Sequence, residues 1–206
     1  IDVFNNLISE ELRIPIFNTP GNHDLGHPEL YEKNFGKTFD SFVINQEAYI
    51  LLDTELSQCN IDGYQASFFS DKLQTFSQDD ELLNIFILMH QPLWSINNQP
   101  LDIINPWVNG GPYPSEECSS FSKQFIPKIK DLAKNKNVYL ISGDFGCKNY
   151  ELGKYPMETF PIFYHKDLKL TYVGTGICEN IHDNVVNITV NEAVSYTHLR
   201  AHETLL

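Results

Sequence analysis

The chain has 206 residues, 42% hydrophobic and 13% aromatic. That suits one globular domain, or most of one, with a sizeable core and argues against a disordered chain, because only 20% of residues are charged and aromatics are plentiful. The formal net charge of −13 disfavours a nucleic-acid partner and fits a soluble acidic protein or a cleft that collects cations.

In chain order, "IPIFN" (14–18) predicts a buried strand running into a Pro-Gly turn. "FDSFVIN" (39–45) and "AYILLDT" (48–54) predict a hairpin joined by Gln46-Glu47. Residues 63–76 carry helical spacing, with Asp62 as the N-cap. "LLNIFILMH" (82–90) is a strong buried strand. Residues 91–117, with both tryptophans and a Gly-Gly pair, predict a long surface excursion whose Trp94 and Trp107 are candidate pocket walls. Residues 120–134 predict a helix in which Pro127 sits early or makes a kink. "NVYLISG" (137–143) is another buried strand, and three strand patterns follow up to Val190. Strands alternating with helices, plus hairpins, indicate an α/β fold with a mixed sheet.

Neither "IFILM" nor "AYILL" approaches the ~20 apolar residues that span a bilayer, so no transmembrane segment is expected. Cellular location and oligomeric state are left open. The four cysteines, Cys59, Cys118, Cys147 and Cys178, form no Cys-x-x-Cys pair; buried free thiols are favoured over two disulfides. The start, "IDVFNNLISE", has neither a methionine nor a signal-like segment, which suggests a fragment. The end, "VSYTHLRAHETLL", has no apolar periodicity and resembles translated sequencing-adapter read-through. The expected organisation is therefore one partial domain over 1–193 and an artefactual tail over 194–206, which removes His198 and His202 as ligands.

Chemistry concentrates at strand ends. Asn22, His23 and Asp24 follow Pro20-Gly21 on a tight turn, where α/β sheets place ligands. Asn22 is a candidate metal ligand, His23 a candidate catalytic group, and Asp24 the carboxylate that orients it. His90 closes the strand at 82–90, and Asp144 closes the strand at 137–143. "GDFG" (143–146) is not a kinase metal motif, because the chain has no Gly-rich phosphate loop and no His-Arg-Asp loop. The rival reading of Asp144 is a turn cap after its strand.

Gly21-Asn22-His23-Asp24 after a buried strand, His90 with Pro92, and a strand ending in "GDFG" resemble the calcineurin-like metallophosphoesterase family over roughly residues 14–190. The resemblance implies a layered α/β sandwich of mixed sheets flanked by helices, with the first strands missing. It also implies two divalent metal ions (Mn, Fe, Zn or Mg), with Asn22, His90 and Asp144 as ligands. A metal-activated hydroxide would hydrolyse a small-molecule phosphoester (a phosphomonoester or phosphodiester), with His23, oriented by Asp24, assisting the leaving group. The sequence departs from the family where Asp144 and Gly146 replace two histidines, and the two upstream acidic motifs fall before the first residue. The given piece would thus be inactive although its parent would be an enzyme. The alternative is a catalytically impaired binding or accessory protein on the same fold.

Overall fold

The computed structural model describes residues 15–24, 26, 28–99, 101, 116–145, 162–176, 184–190 and 197–203. The predicted hairpin is present as β1 (Asp40–Ile44) and β2 (Glu47–Leu52), antiparallel around a turn at Asn45-Gln46. Asn45 accepts the left-handed conformation that a tight turn demands, at φ 56°. The remaining strands are β3 (Leu56–Cys59), β4 (Asn84–Met89), β5 (Asn137–Ser142), β6 (Phe163–Asp167), β7 (Leu170–Gly174), β8 (Asn184–Val190) and β9 (Thr197–Glu203). Among the described residues there are three α-helices: α1 (Pro28–Phe35), α2 (Gly63–Gln78) and α3 (Ile126–Leu132).

Six strands form one mixed sheet in the order β1-β2-β4-β5-β7-β6. The central four, β2, β4, β5 and β7, are parallel, and the two edges are antiparallel. Parallel neighbours need crossovers, supplied by α2 between β2 and β4 and by α3 between β4 and β5. The architecture is thus a mixed sheet flanked by helices, a generic layered α/β fold. Its parallel strands all end at one edge, which brings the residues after Leu52, Met89, Ser142 and Gly174 together.

Strand alternation decides what each face buries. Ala48, Ile50, Leu52, Ile85, Ile87, Met89, Val138 and Leu140 share one apolar cluster with Phe69, Leu73 and Phe76 of α2 and with Ile129 of α3. On the opposite face a row of rings runs across the sheet: Phe42 on Tyr49 (5.0 Å), Tyr49 on Phe86 (5.0 Å) and Phe86 on Tyr139 (4.7 Å). Each pair is a register pair of adjacent strands, so the row fixes strand alignment as well as burying area.

Several sequence expectations are corrected. Residues 15–18 are not a strand. Asp62 occupies the N-cap position of α2 without a side-chain cap; its carboxylate accepts the Ser57 hydroxyl at 2.6 Å instead. The segment from 91 does not begin as a surface excursion: Gln91 to Ile96 are buried, and Trp94 is a core residue whose indole N–H donates to Ser142 Oγ at 2.7 Å. Pro127, by contrast, sits early as expected, in the first turn of α3, where its missing N–H is harmless; a π-helical turn, Phe121–Phe125, precedes it.

Cys59 and Cys118 form a disulfide rather than remaining free thiols. Around it, Asn60 Nδ2 donates to the Glu117 carbonyl at 2.8 Å, and the Ile61 N–H donates to Ser120 Oγ at 3.0 Å. The link fastens β3 to the chain entering α3. At the other end, β9 pairs with β8 in a two-stranded sheet separate from the main one. His27, Trp107, Gly146, Cys147, Cys178 and His182 lie outside the described residues.

Candidate functional site

The carboxyl edge of the sheet is where the chain's polar groups gather. Leu52 is the last residue of β2, and Asp53 follows it, fully buried. The Gln65 side chain of α2 holds the Asp53 main chain as a neighbouring strand would. Gln65 Oε1 accepts the Asp53 N–H at 2.8 Å, and Gln65 Nε2 donates to the Asp53 carbonyl at 2.9 Å. Asp53 Oδ1 then accepts the N–H groups of Glu55 (2.9 Å) and Leu56 (3.1 Å), turning the chain sharply. Its other oxygen, Oδ2, is buried with no hydrogen-bond partner.

His90 follows β4, and its carbonyl accepts the N–H groups of Gly143 and Asp144, both at 3.1 Å, which seats Asp144 beside it. His90 Nε2 lies 3.7 Å from Asp144 Oδ1, an ion-pair distance too long for a hydrogen bond. Nε2 itself is buried and has no hydrogen-bond partner. Next in sequence, Gln91 donates from Nε2 to Glu55 Oε1 at 2.8 Å, so the amide must point its N–H₂ at the carboxylate. That leaves Gln91 Oε1 buried and unpaired.

The Gly21–Asp24 turn packs against this edge. The Asp24 N–H donates to the Gly21 carbonyl at 3.0 Å, and the Gly21 N–H donates to Asp24 Oδ2 at 2.8 Å. Asp24 therefore closes the turn on itself. A Cβ at Gly21 would meet His90 Nδ1 and Cε1 at 3.0 Å, so glycine here permits the close approach of backbone to imidazole. Asn22 and His23 are exposed on the turn. Tyr31 of α1 completes the site, 3% exposed, with its hydroxyl unpaired.

Burial, reinforced by the charges of Asp24 and Asp53, pushes the Tyr31 phenol up to about 12. Burial also raises the Glu55 carboxyl. His90 and the hydrogen bonds from Thr54 and Gln91 oppose that rise, and Asp144 adds to it. Among the described residues no Lys or Arg forms an ion pair with Asp24, Asp53 or Glu55.

Of the sequence candidates, His90 and Asp144 meet, and Gly21 brings the turn of Asn22, His23 and Asp24 against them. The metal reading does not survive this geometry. Among the described residues no group of three or more His, Cys, Asp or Glu side chains is arranged to hold a metal ion. Asn22, His90 and Asp144 therefore lack the donor cluster that the expected divalent cations and their activated hydroxide require, and the phosphoester hydrolase expectation falls with it. Tyr31, Asp53, Glu55 and Gln91 were missed as site residues. For Asp53, Glu55 and Gln91 the available signal was polar residues directly after buried strands, in "LLDTE" and "MHQ"; Tyr31 had none.

A groove between α2 and α3, about 220 Å³ and lined by Ser70, Gln74, Lys128 and Asp131, contains none of these residues. No described helix is long and apolar enough to cross a membrane. No protein-family model matches the chain, and no curated protein is significantly similar to it, so membership of the metallophosphoesterase family is not upheld.

Proposed function

We propose that this chain is a binding or accessory module that seats a small polar ligand at the carboxyl edge of its sheet, without metal-hydroxide chemistry. One observation carries the reading. Four buried polar atoms, Tyr31 Oη, Asp53 Oδ2, His90 Nε2 and Gln91 Oε1, have no hydrogen-bond partner, and all four come from α1 or from the ends of β2 and β4. Each such atom costs about 1–3 kcal/mol when left unpaired. Against a net stability of about 5–15 kcal/mol that is a sizeable cost, which a bound polar group at this edge would offset. Strand ends of an open α/β sheet are also where ligands bind. The exposed Asn22 and His23 stand on the adjoining turn, in position to contact what enters.

The test joins hydrolysis and binding. The protein with added Mn²⁺ is expected not to turn over an aryl phosphate, while a screen of polar fragments followed by NMR perturbs resonances at residues 53–55, 90–91 and 143–144. Mn²⁺-dependent turnover abolished by His90→Ala would refute the reading, as would a screen in which no fragment perturbs that edge.

A further inference from the structure

We propose that Asn187 is an N-glycosylation acceptor, filled in the oxidising secretory compartment that also forms the Cys59–Cys118 link. Asn187-Ile188-Thr189 is the only Asn-x-Ser/Thr tripeptide in the chain. Such a tripeptide carries little by itself, because it arises by chance and is used only where a glycosyltransferase meets it. Two structural observations supply what the letters lack.

The first is presentation. Along β8, Val186 and Ile188 are half-buried while Asn187 and Thr189 are exposed. Residues two apart on a strand share one face, so the acceptor amide and the hydroxyl read with it stand together on the solvent side. A bulky, hydrated oligosaccharide there displaces no apolar side chain of the strand. β8 takes no part in the six-stranded sheet, so a sugar on it leaves that sheet's pairing untouched. The second is compartment. Cys59 and Cys118 are linked, and no described cysteine is free. Cys118 is buried in the apolar core cluster, which marks a structural link rather than a transient catalytic one. Structural links of this kind persist where the surroundings oxidise thiols and are rare where glutathione and thioredoxin keep them reduced. A chain that passes through an oxidising secretory lumen meets the glycosylation machinery there.

In the transfer, the Asn187 side-chain nitrogen attacks the anomeric carbon of a lipid-diphosphate oligosaccharide. The nitrogen–carbon bond forms, and the bond from that carbon to the diphosphate oxygen breaks. The lipid diphosphate leaves, and the amide gives up one proton.

The test expresses the full chain behind a cleavable signal peptide in a secreting eukaryotic cell and maps peptides from both the secreted and the retained protein. A peptide N-glycosidase should speed the migration of the chain and leave aspartate at position 187. Residues 59 and 118 of the same molecules should be recovered in one linked fragment. Asn187→Gln and Thr189→Ala, both at exposed positions, should each abolish the migration shift, whereas Thr189→Ser should keep it. Unmodified Asn187 in both pools overturns the proposal, as does a shift that persists in Asn187→Gln. A glycan found only on molecules whose Cys59 and Cys118 are unlinked also overturns it, because the folded chain would then exclude the sugar.

Discussion

Removing the Cys59–Cys118 link should cost the fold a large share of its stability. The bridged residues are 59 positions apart in the chain. The chain-entropy relation for a loop of that length gives about 14 cal/mol/K, or about 4 kcal/mol at 25 °C. For a chain of this size each kcal/mol moves the melting temperature by about 2–4 °C, so the expected drop is about 8–16 °C. The effect should reach the candidate site as well, because β3 follows immediately on Glu55 and the link anchors its end. Two perturbations isolate the effect. Reducing the intact protein keeps both sulfur atoms in the core, whereas Cys59→Ala with Cys118→Ala removes them and adds a small packing loss. Thermal unfolding followed by circular dichroism, with and without reductant, reads the difference. Peptide mapping before reduction should recover residues 59 and 118 in one linked fragment. A shift below about 2 °C would mean that the unfolded chain gains little freedom when cut loose. Recovery of unlinked peptides would remove the premise.

Gly176→Ala should destabilise the fold at the upper end of the ~1–3 kcal/mol overpacking range or beyond, because the new Cβ would lie 1.9 Å from the Phe145 carbonyl oxygen, a backbone atom that cannot swing aside; an unchanged denaturant midpoint would refute it. Stability should fall as pH rises from about 10 to about 12, where the unfolded chain releases the Tyr31 proton while the folded chain, with its phenol pushed up to about 12, retains it. Below that window both states are protonated and Tyr31 contributes no slope, so Tyr31→Phe should flatten only the alkaline limb; an equally steep limb in the variant would rule out Tyr31 as its source. Deleting residues 194–206 should leave the melting temperature within about 1 °C, since among the described residues β9 pairs with β8 alone and an isolated hairpin contributes little; a loss above about 4 °C would make the tail part of the fold.

The strands of the sheet were legible because burial on both faces writes itself as unbroken apolar runs, as in "NIFILM" and "NVYLIS". The strand ends were legible too, which placed His90 and Asp144 correctly at the carboxyl edge. What failed is tertiary. The first strand at 14–18 looked right by composition, yet Phe17 is half exposed and only stacks on Phe42. α1 has too weak an apolar pattern in "PELYEKNF" to announce itself, so Tyr31 went unseen. Trp94 looked like a loop aromatic because prolines follow it, although its fate was set by Ser142, 48 residues away. Disulfide pairing was illegible for the same reason: spacing in sequence says nothing about which sulfur atoms the fold brings together.

The stretch "GDFG" shows how one motif divides between these two levels. Read as a chain of letters, Asp144 and Gly146 mark positions where a metal site would have its histidines, and Phe145 is merely the residue between. In the fold, Phe145 is the fixed point. Its ring is buried, 6.1 Å from Trp94 and 6.4 Å from Phe163, and a Cβ on Gly174 would strike it at 2.4 Å. The β7 end is cleared by two glycines so that Phe145 fits. With the following residue locked in the core, Asp144 is presented at the sheet edge against His90 whether or not any ion is there to bind. Core packing therefore accounts for the local form of this segment. The motif's resemblance to a metal site follows from its place at a strand end, where any α/β sheet gathers polar side chains, rather than from a coordination requirement.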